Sequence, residues 1–259
     1  MDGLKTTRVV FITGTDTGVG KTVLTALLLH HLRNEGLRAL ALKPFCSGSR
    51  ADARILRSLQ DRELTLNEVN PVYFTEAVAP LIAARKRGRS ILLADVLSHI
   101  RVVKKKLRQP LWADHKRVRN GLQPSAPCLL IEGSGGLLVP LGEGFTVLDL
   151  IRRFRCEVLV VSRNRLGTIN HTLLTVRALR VSGIRNFLVV LMDPHSADPS
   201  TASNASIMRE CIAPTPLFTL PFLGSQAANA KGLRACAENL SEKLGTILVS
   251  LQHGNRPTE

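Results

Sequence analysis

The chain has 259 residues, 44% of them hydrophobic, and a formal net charge of +15. This composition excludes an intrinsically disordered polypeptide, and no apolar run approaches the roughly 20 residues that a membrane-spanning helix needs. The positive charge would attract anionic small molecules, nucleic acid or an acidic membrane surface. The start of the chain shows no signal-peptide pattern, so we expect a cytoplasmic protein. We also expect a single domain over residues 1–259.

Cysteine and histidine spacing gives no sign of a disulfide framework or a zinc site. The five cysteines are far apart and form no CxxC pair, which favours free thiols. The seven histidines include no HExxH motif.

The predicted elements alternate between strands and helices along the chain. Apolar runs predict strands at 8–13, 39–42, 128–131, 158–161 and 187–191. Helical periodicity predicts helices at 22–34, 52–60, 79–87, 91–107, 168–180 and 233–250. This alternation is typical of an α/β fold, a mostly parallel sheet with helices on both faces. In such a fold the ligand lies beyond the carboxyl ends of the strands.

The sequence GTDTGVGKT at 14–22 lies between the first strand and the first helix. It is typical of a phosphate-binding loop, in which Lys21 reaches the outer phosphates and the Thr22 hydroxyl joins the Mg²⁺ shell. The usual G-x-x-x-x-G-K-[ST] spacing would place glycine at position 15, but Thr15 is there and Gly14 comes one residue early. A chance Gly-Lys-Thr turn is the alternative. The strand before the motif and the helix after it favour the phosphate loop.

Polar clusters also follow three later strands. They are Lys43–Gly48, Glu132–Gly136 and Arg163–Gly167. Each cluster alone is ambiguous, since a lysine or a glycine turn at the end of a strand is common. Four such clusters on one sheet edge, including the phosphate loop, predict an enzyme site.

Residues 101–119 carry eight basic side chains and one acidic residue, Asp114. A solvated basic surface is the default interpretation of such a run. Trp112 is its only aromatic residue, which argues against binding to single-stranded nucleic acid.

Several separated segments resemble the dethiobiotin synthetase family. They are TGTDTGVGKT at 13–22, LKPFCSG at 42–48, NPVYF at 70–74, AVAPLIAA at 77–84, IEGSGGLLVPL at 131–141 and RLGTINHTLLT at 165–175. The family's phosphate loop has the same longer spacing from its first glycine. A stretch of about 101–126 falls outside the resemblance and is interpreted as a basic insertion.

The resemblance implies a P-loop NTPase-type fold and an ATP- and Mg²⁺-dependent cyclo-ligase of biotin biosynthesis. The substrate would be 7,8-diaminononanoate, one amine of which captures CO₂ as a carbamate. ATP would phosphorylate the carbamate, and the second amine would close the cyclic urea of dethiobiotin, releasing ADP and phosphate. Such a reaction needs charge stabilisation more than a covalent nucleophile.

The resemblance also assigns roles to individual residues. Lys21 and Lys43 would neutralise phosphate and carbamate oxygens, and Thr17 would donate a hydrogen bond to the same group. The metal ligands would be Thr22, Asp52 and Glu132, and the substrate-binding residues Ser47, Gly167, Thr168 and Asn170. The nucleotide would contact Gly18, Val19, Gly20, Lys21, Thr22, Val23, Glu132, Gly133, Ser134, Gly135, Met192, Asp193, Pro221, Phe222 and Leu223.

One departure from the family pattern concerns the nucleotide base. The family usually has Asn-Asp where this chain has Met192-Asp193. An asparagine can read adenine through paired hydrogen bonds and a thioether cannot, so nucleotide preference stays open. Phe222 is expected to form an apolar wall on this side of the site.

The family is dimeric, so the resemblance implies a homodimer whose substrate pocket is completed by residues 166–170 of the partner chain. In this segment Gly167 permits close backbone approach, and Thr168 is expected to cap the following helix. Neither a membrane nor nucleic acid is expected as a partner. The main alternative is a partition- or septum-positioning P-loop ATPase, which carries a second lysine where this chain has Asp16. An amidoligase-like relative would need a further domain. A nonfunctional or repurposed synthetase is a third alternative, and the presence of the phosphate- and metal-binding residues argues against it.

Overall fold

The structure is a computed structural model that describes residues 7–108 and 126–253. In chain order its elements are β1 (Arg8–Gly14), α1 (Lys21–Asn34), β2 (Ala39–Leu42), β3 (Phe45–Ser47), α2 (Ala51–Leu59), α3 (Leu66–Val69), β4 (Val72–Phe74), α4 (Pro80–Lys86), α5 (Leu93–Lys106), β5 (Cys128–Glu132), β6 (Pro140–Gly142), β7 (Phe145–Thr146), α6 (Val147–Phe154), β8 (Glu157–Arg163), α7 (Thr168–Val181), β9 (Phe187–Met192), α8 (Thr201–Ile212), β10 (Leu217–Leu220), α9 (Ala230–Asn239) and α10 (Ser241–His253). A 3-10 turn at Gly224–Ala228 precedes α9.

Six of the strands form one parallel sheet in the order β10-β9-β8-β1-β5-β2. The chain moves from β1 towards β2 on one side and from β8 through β9 to β10 on the other. Because parallel crossovers are right-handed, these two directions place α1 on one face and α7 and α8 on the opposite face. The direction of winding changes at β1, so a crevice for a ligand is expected at its carboxyl end.

The strands are buried because both faces of the sheet are covered. Every residue of β5 and β9 is buried, and both sequences are almost entirely apolar. This continuous apolar pattern is what a parallel strand between two helical layers requires. On one face, α1 packs against α2, α9 and α10, with Leu24, Leu27 and Leu28 fully buried.

The five predicted sheet strands and the α/β architecture are confirmed. The predicted helix at 233–250 is wrong, because α9 ends at Asn239 and α10 begins at Ser241. The prediction also omits β10, α3, α6, α8 and two small two-stranded sheets, β3–β4 and β6–β7. Most of these elements are too short for a periodic pattern to be distinguished, and the longer α8 is rich in polar residues, so its apolar periodicity is weak.

The basic run begins inside a packed helix. Residues 101–106 form the last turns of α5, and Val103 and Leu107 beside the lysines are buried. The rest of the predicted insertion, 109–125, lies outside the described residues. The insertion and the single-domain assignment therefore stay predictions.

The five cysteines are all free, as expected. Cys211 on α8 is exposed, whereas Cys46, Cys128 and Cys236 are buried. Within the described ranges, no helix has the length and apolarity to cross a membrane.

Candidate active site

The phosphate loop, residues 14–22, joins β1 to α1 at the change in winding direction. Gly18 (φ +66°) and Gly20 (φ +102°) adopt left-handed conformations that favour glycine. A Cβ on Gly14 would lie 2.8 Å from Cγ2 of Val19 and 3.1 Å from the Lys21 side chain. Glycine is therefore required at position 14, one residue earlier than in the usual spacing. No side chain caps α1, which leaves its first N–H groups available to an anion.

Lys21 folds back over the phosphate loop. Its side chain is buried, and Nζ donates a hydrogen bond to the backbone oxygen of Asp16 at 2.6 Å. Burial, followed by the nearby charge of Lys43, lowers the pKa of Lys21 to about 8. Thr17 is exposed at the tip of the loop, where its backbone N–H donates to the Asp16 carboxylate at 2.6 Å. Both predicted phosphate-contacting side chains thus belong to one short loop.

The ends of two strands and the starts of two helices bring four predicted residues together, and we call them the Lys43 cluster: Lys43, Glu132, Thr22 and Asp52. Lys43 Nζ donates to Oε1 of Glu132, and Thr22 Oγ1 donates to the same oxygen at 2.6 Å. Lys43 Nζ also lies 3.3 Å from Oδ2 of Asp52. Burial opposes the charged form of Lys43, but the Glu132 and Asp52 carboxylates outweigh it and raise the pKa of Lys43.

The Lys43 cluster has the donor set of a Mg²⁺ site that is completed by phosphate oxygens. Glu132 is buried, and its second carboxylate oxygen, Oε2, has no hydrogen-bond partner. Two carboxylates and one hydroxyl are the hard ligands that Mg²⁺ takes from a protein when phosphates supply others. No group of three or more His, Cys, Asp or Glu side chains among the described residues could hold a metal alone. These residues fit a metal ion that is bound jointly by the protein and by phosphate oxygens better than one coordinated by protein side chains alone.

Two residues without a predicted role, Asn70 and Arg50, hold the backbone at Lys43 in place. Asn70 is buried, and its Nδ2 donates to the backbone oxygen of Lys43 at 2.9 Å. Arg50 in turn donates to Oδ1 of Asn70 at 2.9 Å. The signal was present, because Asn70 opens the NPVYF segment of the family resemblance. Ser47, the predicted substrate residue, ends β3 and has a buried hydroxyl without a partner.

The glycine loop after β5 lies against the phosphate loop. Gly133 donates its N–H to the backbone oxygen of Ile12 at 2.8 Å. Gly135 has a φ of +66°, and a Cβ on Gly136 would lie 3.3 Å from the backbone oxygen of Thr15. Ser134, also predicted to contact nucleotide, is half-buried in this loop.

The start of α7 differs from the prediction in one respect. Gly167, with a φ of +89°, is the residue that precedes the helix, and no side chain caps it. Thr168 does not cap the helix as expected: it is the first helical residue, and its buried hydroxyl contacts Ser162 Oγ at 2.6 Å. Asn170 is exposed. The helix therefore begins with a glycine that permits close approach and a first turn that no side chain caps.

The predicted base-side residues lie at or just beyond the carboxyl ends of β9 and β10. Met192 is buried, and a Cβ on Gly20 would lie 3.0 Å from its Cγ, so this side chain packs on the phosphate loop. Asp193 accepts a hydrogen bond from Asn164 Nδ2 at 2.9 Å. A pocket of about 560 Å³ lies beside these strand ends, lined by Pro221, Phe222, Leu223 and seven further residues that include His195, Gln226 and Asn239.

Phe222 forms part of the wall of this pocket, in edge-to-face contact with His195 at a ring-centroid distance of 5.1 Å. Half of its side chain is exposed, so the ring is open to a planar ligand. His195 was not predicted, because its contact with Phe222 joins two loops that are distant in the sequence.

Comparison with known proteins places these features in a family. The family model described as an AAA domain matches residues 8–217. The ATP-dependent dethiobiotin synthetase BioD of Anaeromyxobacter sp. (strain Fw109-5) is 37% identical over 233 residues, 88% of this chain and 96% of that protein. BioD of Akkermansia muciniphila is 35% identical over 204 residues, 78% of this chain and 87% of that protein.

Solved structures share the fold at low sequence identity. MinD cell division protein from Aquifex aeolicus has a TM-score of 0.54 at 14% identity, covering 97% of this chain and all of that one. A ParA family ATPase from Chlorobium tepidum TLS has a TM-score of 0.54 at 12% identity, covering 95% and 98%. These likenesses establish the fold and carry no conclusion about activity.

Proposed function

Because this chain belongs to the dethiobiotin synthetase family, we propose that the Lys43 cluster and the phosphate loop together form its active site. The chain is an ATP-dependent dethiobiotin synthetase, a ligase of biotin biosynthesis. One observation carries the assignment of the site. Thr22 of the phosphate loop and Lys43 of the neighbouring loop both donate hydrogen bonds to Oε1 of Glu132. Nucleotide and substrate groups can therefore meet at one buried point.

The chemistry assigned to these residues is charge stabilisation. The substrates would be 7,8-diaminononanoate, CO₂ and ATP, and negative charge builds on the carbamate and on the transferred phosphoryl group. Lys21, Lys43 and Thr17 would donate hydrogen bonds to those oxygens. Cys46 is next to Ser47, but burial raises the pKa of its thiol to about 11, so it is not a thiolate nucleophile at neutral pH.

Thr22, Asp52 and Glu132 would hold Mg²⁺ together with phosphate oxygens. When bound, the metal would supply positive charge to the phosphates. The buried, unpartnered Oε2 of Glu132 and the half-exposed carboxylate of Asp52 support this assignment. Ser47, whose hydroxyl is also unpartnered, would hold the amine or carbamate end of the substrate.

The uncapped first turn of α7 would receive the carboxylate of the diamine, in a homodimer whose pocket is shared between chains. An apolar surface on and beside α7 supports a protein partner there. Leu166, Leu174 and Val181 are 81%, 59% and 80% exposed, although large apolar side chains usually avoid water. Asn170 is exposed on the same helix. The cytoplasmic location expected from the sequence stays a prediction.

The assay that tests the function measures dethiobiotin formed from diaminononanoate, bicarbonate, Mg²⁺ and each nucleoside triphosphate in turn. The expected result is product that depends on all components. A purified, folded protein that forms no product with any nucleotide would contradict the proposed substrates.

The shared pocket has a separate test. A Lys43→Ala chain is mixed with a chain in which residues 166–170 are replaced by a glycine-serine loop, under conditions of demonstrated subunit exchange. Mixed dimers would contain one intact pocket and should recover activity that neither parent shows. No recovery would refute the arrangement in trans.

A further inference from the structure

A buried cluster of hydroxyl groups lies between the phosphate loop and α7. Its centre is Ser162, the penultimate residue of β8. Ser162 Oγ lies 2.6 Å from Thr168 Oγ1 and accepts a hydrogen bond from Thr172 Oγ1 at 2.9 Å. Thr15 Oγ1 lies 3.3 Å away on the other side. We call these four residues the Ser162 hub.

The hub is shielded from water, so its geometry is constrained. Ser162, Thr168 and Thr172 are each at most 2% exposed. A serine hydroxyl has one hydrogen and can accept two hydrogen bonds, so three hydroxyl neighbours use its full capacity. If one member moves, another is left buried and without a partner, which is unfavourable.

The hub gives a role to the unusual residue of the phosphate loop. Thr15 occupies the position where the usual spacing has glycine, and a glycine could not reach Ser162. The backbone reinforces the link, because Thr15 N–H donates to the Val161 oxygen at 3.0 Å. Thr15 also borders the glycine loop after β5, because a Cβ on Gly136 would lie 3.3 Å from its backbone oxygen.

The other end of the hub is the first turn of α7. Thr168 and Thr172 are one helical turn apart and face inward, while the N–H groups of the same turn are free of a side-chain cap. The orientation of this turn determines where those N–H groups point. A displacement of the phosphate loop would therefore reach this turn through Thr15 and Ser162.

We propose that Ser162 is a positioning residue that couples nucleotide binding at the phosphate loop to substrate binding at the start of α7. The proposal rests on the proposed function, in which α7 receives the carboxylate of the diamine bound in the partner's pocket, so the coupling runs from the nucleotide of one pocket to the diamine of the other. Each ligand restricts one end of the hub, so the second ligand meets a site that is already partly ordered. By linkage, each ligand then increases the affinity of the other by the same factor.

The test measures the dissociation constant of a non-hydrolysable ATP analogue with Mg²⁺, in the absence and presence of saturating diaminononanoate. In the wild-type chain we expect the diamine to tighten analogue binding about 5-fold or more, the lower end of typical couplings. In Ser162→Ala and in Thr15→Val this ratio should fall to about 1. Thr15→Ser, which retains the hydroxyl, should keep the wild-type ratio.

Thr175→Val is the matched control. Thr175 lies on the same helix and is buried, but its hydroxyl donates to the His171 backbone oxygen at 2.9 Å and makes no contact with the hub. Its ratio should equal the wild-type ratio. If Ser162→Ala does not fold, the comparison of Thr15→Val with Thr15→Ser decides the question.

Two results would overturn the proposal: a wild-type ratio of 1, or a ratio that Thr15→Val and Ser162→Ala leave unchanged. Failure of the proposed function looks different. A wild-type chain that neither binds the diamine nor forms dethiobiotin contradicts the substrate assignment. A chain that forms product without coupling overturns only the role of Ser162.

Discussion

The depressed pKa of Lys21 predicts that nucleotide binding takes up protons at mildly alkaline pH. In the free protein this pKa is about 8, because the ammonium is buried and close to Lys43. Phosphate oxygens would favour the charged form and raise the pKa again. A group whose pKa rises on binding takes up protons between its two pKa values.

The size of the effect follows from the free-state value. With a pKa of about 8, Lys21 is about 90% protonated at pH 7, about half at pH 8 and about 10% at pH 9. If phosphate restores the pKa to about 10.5, uptake per site is about 0.1 proton at pH 7, about 0.5 at pH 8 and about 0.9 at pH 9. The nucleotide phosphates are fully ionised over most of this range, since their own pKa is about 6.

The measurement is calorimetric titration with ADP or an ATP analogue in two buffers of different ionisation enthalpy at each pH. The difference between the buffers gives the number of protons taken up. Lys21→Arg is the control, because a guanidinium keeps its charge throughout and should abolish the uptake. Uptake that does not increase from pH 7 to pH 9, or that persists in Lys21→Arg, would refute the reasoning.

The same pKa has a consequence for stability, with the sign worked out as follows. Between pH 8 and 10.5 the unfolded chain holds a proton on Lys21 that the folded chain has lost. The free energy of unfolding therefore rises with pH through this window. Below pH 8 the buried charge costs about 3 kcal/mol, because burial lowers the pKa of Lys21 from its ordinary 10.5 to about 8. Denaturant titrations should show that the difference in the free energy of unfolding between wild type and Lys21→Met is smaller at pH 10 than at pH 7.

Three further outcomes are expected. Lys43→Ala should lower turnover by about 10²–10³-fold in the product assay. It should also lower the free energy of unfolding, measured by urea denaturation, by about 3–5 kcal/mol, because Glu132 is left buried without its charge partner. Adding Glu132→Gln to Lys43→Ala should restore part of the stability and none of the activity. Asp52→Asn should shift the Mg²⁺ titration of activity to higher concentration, and an unchanged titration would remove Asp52 from the metal site. Met192→Asn should increase the preference for ATP over other triphosphates in competition assays, whereas an unaltered preference would show that position 192 does not read the base.

The sheet and the phosphate loop could be predicted because their signals are local. A buried parallel strand is an apolar run whatever packs on it, and the loop is a contiguous motif. The shared sheet edge of Lys43 and Glu132 followed from topology, since both lie at the carboxyl ends of neighbouring strands. The roles of Thr22 and Asp52 beside them came from the family resemblance. The proximity of Thr22 and Asp52 follows from the helices that begin there.

Other features depend on contacts between distant segments and could not be read locally. The sequence shows that Thr168 can cap a helix, but only the position of Ser162 reveals that its hydroxyl points inward. The contact between Asn70 and the Lys43 backbone joins residues 27 apart. The hydrogen bond from Lys21 Nζ to the backbone oxygen of Asp16 likewise forms only in the folded loop. In each case the residue type indicates that the side chain can form a hydrogen bond, but the sequence does not identify its hydrogen-bond partner.

The uneven burial of the cysteines makes the unmodified chain suitable for site-selective labelling. Burial raises the pKa of Cys46 to about 11 and those of Cys128 and Cys156 to about 12, and it also raises the pKa of Cys236. These thiols should react slowly with a maleimide near neutral pH. Cys211, exposed near the end of α8, should react first. A fluorophore attached there would report subunit exchange in the proposed homodimer by energy transfer, without the removal of any native cysteine.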